Sequence, residues 1–274
     1  MDVGSIGIWM PKRFGTGAVA QIEELGYGTL WLGGSPSVQE AFPFLQASST
    51  ITIATGILNV WQHDPAEVAA AHAETRAAFP GRFLLGVGIG HPEATSDYTR
   101  PLETMRAFCD GVASAPQPVP KDELVLAALG PKMLDLAKER ALGTHTYFVP
   151  PAHTRFARER IGPDALVAPV VAVVVESDPE AARAIARSYA ELYLGLINYT
   201  KNLLETGFTE ADIADGGSDR LIDAVIPHGT PEQIAAAVDE HFAAGADHVC
   251  VQPLGHGEPT VDDYRALAAV LIRS

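Results

Sequence analysis

The chain has 274 residues and carries 34 acidic against 19 basic side chains, a formal net charge of −15. Such an acidic protein repels phosphate backbones and anionic lipids, which argues against nucleic-acid and membrane partners. Apolar residues make up 47% of the chain, enough for a large core, and charged residues only 19%, which argues against disorder. No apolar run could span a bilayer and no signal peptide is visible, so with only Cys109 and Cys250 we expect reduced thiols and a cytoplasmic protein.

The chain repeats one pattern, a strand followed by a short turn and a helix. Strands are predicted at 5–10, 29–34, 51–58, 82–90, 123–129, 144–150, 165–177 and 248–255. Helices are predicted at 16–28, 36–49, 64–79, 102–113, 130–143, 152–162, 180–207, 230–246 and 261–274. Asp64 before Pro65, and Asp178 before Pro179, are strong signals for a helix start.

Eight such units in a chain of this length predict a (β/α)₈ TIM barrel of one domain, residues 1–274. An open, doubly wound parallel sheet is the alternative. Residues 208–220 interrupt the eighth unit as an insertion before the last strand, and they are the expected place for a lid or a subunit contact.

The functional residues of a TIM barrel lie at the carboxyl ends of its strands. This rule selects Trp9, Met10, Gly33, Gly34, Ser35, Gly56 to Trp61, Gly88, Gly90, His91, Leu129, Gly130, Lys132, His145, Tyr147, Glu176, Gln252 and His256. The abundance of glycine among them suggests a backbone that approaches a large, flat ligand. Each glycine alone could equally serve only to turn the chain.

The segment LAALGPKML predicts an anion site. Leu129 ends a strand, Gly130 turns the chain, Pro131 takes the first helical position and Lys132 follows. Free amides at a helix N-terminus together with one lysine attract a phosphate or a carboxylate. A solvated lysine at an ordinary helix start is the alternative interpretation.

The segment GVGIGHP only superficially resembles a dinucleotide fingerprint, because His91 stands where the third glycine belongs. Gly86, Gly88 and Gly90 alternate, so they share one side of a strand and allow a ring or loop to come close. His91 at the strand end is a candidate proton donor or acceptor, or a hydrogen-bonding surface histidine. No motif for a metal or for an activated nucleophile is visible, so a bound organic cofactor is the simplest source of chemistry.

The chain resembles the luciferase-like superfamily, and within it the coenzyme F420-dependent oxidoreductases of actinobacterial type. The resemblance spans essentially the whole chain and rests on these blocks: LGYGTLWLGG, ATGILNVW..DPAEVAAAHA, PGRFLLGVGIGHP, VLAALGPKMLDLA, GTHTYFVPPAHT, NYTKNLLETGF, GGSDRLIDAV and GADHVCVQPL. The third, fourth and fifth blocks in this order are specific, whereas each alone would be weak.

The resemblance implies a bulge with a non-prolyl cis peptide at Gly56–Ile57, behind the deazaflavin ring. It also implies hydride transfer between the deazaflavin C5 and a small organic substrate, in a homodimer. An enzyme that uses FMN, either a monooxygenase or a reductase, is the first alternative, and a non-catalytic deazaflavin-binding protein is the second. The implied cofactor-binding residues are Gly34, Gly56, Ile57, Leu58, Asn59, Gly88, Gly90, His91, Leu129, Gly130, Pro131 and Lys132.

The sequence departs from the pattern of the sugar-phosphate dehydrogenases of this family. Their Asp–His pair at the end of the second strand is replaced by Gly33–Gly34–Ser35, and the glutamate after the fourth-strand glycines is replaced by His91. A sugar phosphate is therefore not the expected substrate. His91, and after it His145, are the candidates for proton transfer, and Trp9, Trp61 and His256 are the candidates for the substrate pocket.

Overall fold

The computed structural model describes residues 1–11, 15–96, 98–257 and 259–272. Its parallel strands are β1 Ile6–Pro11, β2 Thr29–Gly33, β3 Thr52–Thr55, β4 Leu58–Asn59, β5 Phe83–Gly88, β6 Leu124–Leu126, β7 Gly143–Thr144, β8 Leu166–Val167, β9 Val170–Val174 and β10 Val249–Leu254. They pair in the order β8-β7-β6-β5-β3-β2-β1-β10-β9, and β4 pairs with β5.

The sheet closes because the strands at its two ends are consecutive in the chain. β8 pairs with β7, and β9 pairs with β10. Between them Ala168 N donates to Thr144 O, and Pro169 O accepts from Cys250 N. β8 and β9 are thus one bent barrel strand, and β3 and β4 are another. The eight predicted strand positions are confirmed, and the fold is of the TIM-barrel type.

Several predicted strands are shorter than expected or interrupted. The segment 165–177 is divided at Pro169, which has no N–H to donate to a neighbouring strand. The segment 51–58 is interrupted at Gly56 and Ile57. The segment 144–150 is reduced to Gly143–Thr144, and the chain after it includes Phe148 at a φ of 54°.

The helices around the barrel are α1 Val19–Glu24, α2 Val38–Gln46, α3 Pro65–Ala78, α4 Pro101–Ser114, α5 Pro131–Arg140, α6 Pro151–Ile161, α7 Pro179–Leu194, α8 Ile197–Glu205, α9 Glu210–Ile213, α10 Asp219–Val225, α11 Pro231–Ala243 and α12 Val261–Leu271. Asp64 accepts hydrogen bonds from the backbone N–H groups of Ala66 and Glu67, as its position before α3 predicts. The single long helix predicted over 180–207 is wrong, because the chain turns between α7 and α8 at Gly195. The predicted end of the last helix, residues 273–274, lies outside the described residues.

Alternation along the strands divides the core into two layers. Leu30, Leu32 and Ile53 face outward and pack against the helices, whereas Trp31 and Ala54 face into the barrel. Both cysteines are buried and unpaired thiols. Across the described part of the chain, none of the helices is long and apolar enough to cross a membrane.

Candidate active site

A cavity of about 440 Å³ lies at the carboxyl ends of the strands. Its walls come from Gly56 and Ile57, the residues 88–91 at the end of β5, the residues 127–131 after β6, the residues 145–147 after β7, and α8. Cavities of this size suit small organic ligands and cofactors. The carboxyl-end rule therefore locates the candidate site correctly.

The interruption of the third barrel strand forms one wall of this cavity. The Gly56–Ile57 peptide bond is cis, as the resemblance implies. A Cβ atom on Gly86 would lie 2.1 Å from Thr55 O, and one on Gly88 would lie 2.4 Å from the Ile57 side chain. These two glycines make room for the protein's own bulge, which modifies the interpretation that they leave space for a ligand.

Gly130 differs from those glycines. Its φ of −80° and ψ of 161° suit any residue, and a Cβ atom there would meet no described atom within 4 Å. Gly130 lines the cavity and precedes α5, whose first turn has no side-chain cap and no acidic residue. The amides of this helix start are therefore free to meet an anion from the cavity.

His145 joins the cavity to the interior of the barrel. Its ring stacks on Trp31 with centroids 3.8 Å apart, and its Nδ1 lies 2.8 Å from Ala168 O. Burial, and then the nearby His248, lower the pKa of His145 to about 3. Because a carbonyl oxygen only accepts, Nδ1 carries the proton of this neutral ring, and Nε2 presents a lone pair.

Three buried polar atoms of the cavity lining have no hydrogen-bond partner among the described residues. They are Nε2 of His145, Oγ1 of Thr146 and Nδ2 of Asn202. A buried polar group without a partner costs about 1–3 kcal/mol, so a cluster of them in one cavity indicates the place of a polar ligand.

His91 lines the same cavity beside α8. Its Nδ1 lies 3.3 Å from the amide nitrogen of Asn198, which also approaches Gly90 O at 3.4 Å. Burial lowers the pKa of His91, although the charge of Glu93 opposes this. In the neutral ring Nδ1 accepts from Asn198, so the proton is on Nε2, which can donate to a bound molecule.

A group of hydroxyls borders the cavity on the side of α7. Tyr147 and Tyr189 both donate to Oε1 of Gln252, at 2.5 and 3.1 Å, and their hydroxyls are also in contact. Tyr193 O–H lies 3.0 Å from the Tyr189 hydroxyl. Burial raises the pKa of Tyr189 and of Tyr193, so both phenols are protonated at neutral pH.

Trp9 stands between this cavity and a second one. The second cavity, of about 690 Å³, shares Trp9 and Tyr193 with the first and is bordered by α7 and the end of β10. The Trp9 Nε1–H donates to Gly56 O at 3.2 Å. A Cβ atom on Gly33 would lie 1.8 Å from Cζ2 of Trp9, so the indole occupies the space of a side chain at the end of β2.

This contact predicts that residues 33 and 9 are energetically coupled. Gly33→Ala should lower the free energy of unfolding by about 1–3 kcal/mol, because the new methyl group overlaps the indole. The same change in a Trp9→Ala background should cost less than about 0.5 kcal/mol. Urea unfolding of the four proteins of this cycle measures the coupling. Equal costs of Gly33→Ala in both backgrounds would contradict it.

The structure brings most of the sequence-predicted residues to the two cavities. The first cavity is lined by Trp9, Gly56, Ile57, Gly88, Gly90, His91, Leu129, Gly130, Pro131 and His145. The exposed His256 lines the second cavity instead. For these residues the predicted roles in binding and chemistry stay predictions.

Five predicted residues line neither cavity. Leu58 is fully buried in the core, and Gly34 is exposed at a turn with a φ of 82°. Asn59 accepts from Trp61 N, and Trp61 Nε1 donates to Ile89 O. Lys132 is exposed on the first turn of α5. Local contacts, rather than the cavity, account for Leu58, Asn59 and Trp61.

The sequence interpretation did not single out the residues of α8 and its neighbours that line the cavity. These are Tyr98, Thr146, Tyr193, Asn198, Tyr199, Lys201, Asn202 and Glu205. The only signal for most of them was the block NYTKNLLETGF, which was recognised as part of the resemblance without any residue being assigned a role. Among the described residues, no group of three or more His, Cys, Asp or Glu side chains could hold a metal ion.

A closed parallel barrel with a broken third strand and a polar cavity at its rim defines the class of this protein. The chain matches the family model of luciferase-like monooxygenases over residues 10–108 and 98–248. The protein therefore belongs to the luciferase-like monooxygenase family, whose members are oxidoreductases and monooxygenases.

Solved structures with the same fold use two different cofactors. An F420-dependent secondary alcohol dehydrogenase, solved with an F420-acetone adduct, is similar with a TM-score of 0.77 and 17% identity over 100% of both chains. The F420-dependent tetrahydromethanopterin reductase from Methanopyrus kandleri has a TM-score of 0.72 and 16% identity over 98% of both chains.

The oxygenating constituent of 3,6-diketocamphane monooxygenase from Pseudomonas putida, solved with FMN, has a TM-score of 0.69 and 13% identity, covering 97% of this chain and 96% of that one. These likenesses establish the fold alone. A search of curated proteins found no significant match.

Proposed function

We propose that the protein is a coenzyme F420-dependent oxidoreductase that transfers a hydride between the deazaflavin and a small organic substrate. The observation that carries the proposal is the rim cavity, in which three buried polar atoms lack partners beside the Gly56–Ile57 bulge. These residues fit a planar ring with polar edges. The two F420-dependent structures of the same fold support the choice of cofactor.

In this proposal the chain holds the ring and its anionic tail at different places. Gly56 and Ile57 back the ring, and the uncapped start of α5 meets the tail together with a lysine. When bound, the deazaflavin supplies C5 as the hydride donor or acceptor. The protein supplies orientation and a largely water-free cavity, which together make the hydride transfer effectively intramolecular.

His91 has a defined role in this arrangement. Its Nε2–H donates a hydrogen bond to the substrate oxygen that gains negative charge when a carbonyl or enone accepts hydride. Asn198 holds the ring in the required tautomer through Nδ1. The proposal assigns the substrate to the side of the cavity bounded by Trp9 and Tyr193, next to the second cavity.

The cation that meets the anionic tail is predicted to be Lys201 more than Lys132. Lys201 lines the cavity, whereas Lys132 is exposed outside it. Lys201→Ala should weaken cofactor binding by about 1–2 kcal/mol, as expected for a charge-assisted hydrogen bond. Lys132→Ala, a control with the same change of charge, should have a smaller effect. Fluorescence titration measures both, and the reverse order of effects would return the tail to Lys132.

The proposal is tested by anaerobic turnover with F420. Purified protein is mixed with oxidised F420 and a panel of alcohols deuterated at the carbinol carbon, and with reduced F420 and a panel of ketones and enones. Transfer of the deuterium label to F420, or substrate-dependent oxidation of reduced F420, supports the proposal. Tight binding of F420 without turnover on any panel would favour a non-catalytic binding protein.

FMN is the second candidate cofactor, because the family includes monooxygenases and an FMN complex shares the fold. Protein that contains flavin and consumes oxygen with reduced FMN, without turnover of F420, would establish this alternative. The homodimer and the cytoplasmic location stay predictions, and analytical ultracentrifugation tests the first of them.

A further inference from the structure

The partnerless atoms in the rim cavity specify which edge of a ligand they accept. Nε2 of His145 can only accept a hydrogen bond, because Nδ1 of the neutral ring donates to Ala168 O. Nδ2 of Asn202 can only donate, and Oγ1 of Thr146 can do either. A ligand that satisfies all three therefore presents one N–H or O–H together with acceptor atoms.

The surroundings of these atoms fix their roles. His145, Thr146 and Asn202 are 4%, 1% and 5% exposed, so water does not replace a missing ligand at low cost. The His145 ring is held by its stack on Trp31, which in turn donates from Nε1 to His248 Nε2 at 3.0 Å. A Cβ atom on Gly56 would lie 3.6 Å from His145 Nε2, so the glycine leaves that lone pair uncovered.

Alternative ligand groups satisfy the cluster less well. A phosphate or carboxylate offers only acceptors, and the His145 lone pair would stay unpaired. A simple alcohol offers one donor and one acceptor, which leaves one of the two donor groups without a partner. An imide, in which an N–H lies between two carbonyl groups, presents one donor and two acceptors.

We propose that His145, Thr146 and Asn202 together recognise the imide edge of a planar heterocycle, with His145 accepting from its N–H and the other two donating to its carbonyl oxygens. This inference rests on the proposed function, because the pyrimidine ring of a deazaflavin carries such an edge. It assigns His145 to ligand recognition rather than to proton transfer. It also makes Thr146 and Asn202 determinants of ring binding.

The test changes the ligand before it changes the protein. The dissociation constants of 8-hydroxy-5-deazariboflavin and of its N3-methyl derivative are measured by fluorescence titration with the full-length protein. Methylation removes the N–H that His145 accepts and leaves both carbonyl groups, so affinity should fall by about tenfold or more. A methylated ring that binds within about threefold of its parent would overturn the inference.

Variants and NMR give independent readouts. Thr146→Val and Asn202→Asp should each weaken the parent ring by about five- to tenfold. Thr200→Val, the same change at a threonine whose Oγ1 already donates to Ile197 O, should leave affinity unchanged. The ¹⁵N resonance of His145 Nε2 should shift on binding of the parent ring and much less with the methylated one.

Failure of this inference is distinguishable from failure of the proposed function. If methylation has no effect while the F420 panel shows hydride transfer, His145 accepts from another group and only the imide assignment is overturned. If neither ring binds and no panel turns over, the proposed function fails as well.

Discussion

Replacing His91 by alanine is expected to lower turnover with F420 by about 10²–10³-fold, the effect of removing one donor to a developing oxyanion. Cofactor affinity should change by less than about threefold, because the deazaflavin does not depend on this donor in the ground state. The reason lies in the tautomer: Asn198 donates to Nδ1, burial keeps the ring neutral, and Nε2–H is left for the substrate.

Two further variants separate this role from a packing role. His91→Gln keeps a donor of similar reach and should retain more turnover than His91→Ala. Asn198→Ala should lower turnover less than His91→Ala, because it loosens the tautomer without removing the donor. Steady-state rates and cofactor titrations are compared for the three variants. Equal losses in turnover and in cofactor affinity for His91→Ala would show that the ring only packs against the cavity.

Acidification is expected to unfold the protein steeply between pH 6.5 and 4. Burial lowers the pKa values of His72, His241 and His248 to about 4 and that of His145 to about 3, from an ordinary value of 6.5. The unfolded chain therefore binds protons in this window that the folded chain excludes. The stabilisation is complete above pH 6.5 and is lost as the pH falls towards the folded-state values.

The magnitude is large because several groups act together. Each of these histidines should remove about 2 kcal/mol from the free energy of unfolding by pH 5, against about 5–15 kcal/mol for a typical domain. Urea unfolding curves recorded from pH 8 to pH 5 measure the loss. His241→Gln, which removes one titrating ring, should reduce the pH slope by about one proton. A free energy of unfolding that stays constant from pH 7 to 5 would contradict this.

The barrel could be predicted from the sequence because its local signals agree with its tertiary structure. Asp64–Pro65 begins a helix in the sequence and in the structure, and apolar alternation at Leu30, Trp31 and Leu32 separates the outer layer from the barrel interior. The breaks were harder to predict. Pro169 divides a strand by one missing donor, and an apolar β-branched run gives no warning of this.

The candidate site was only partly predictable for a different reason. The carboxyl-end rule selects residues that follow strands, and it found His91, Gly130 and His145. Lys201 and Asn202 reach the same cavity from α8, about 55 residues beyond the nearest of those residues, and only the tertiary fold brings them there. The glycines of β5 show the opposite limit, since spacing cannot distinguish room for a ligand from room for the protein's own bulge.

The most direct test of this account is an equilibrium titration of the purified protein with oxidised F420 and, separately, with FMN. The account predicts saturable binding of one F420 per chain, at least about tenfold tighter than FMN, a difference of about 1.4 kcal/mol. Tight binding of FMN with no affinity for F420 would contradict the proposed cofactor. Binding of neither would contradict the assignment of the rim cavity to a redox ring.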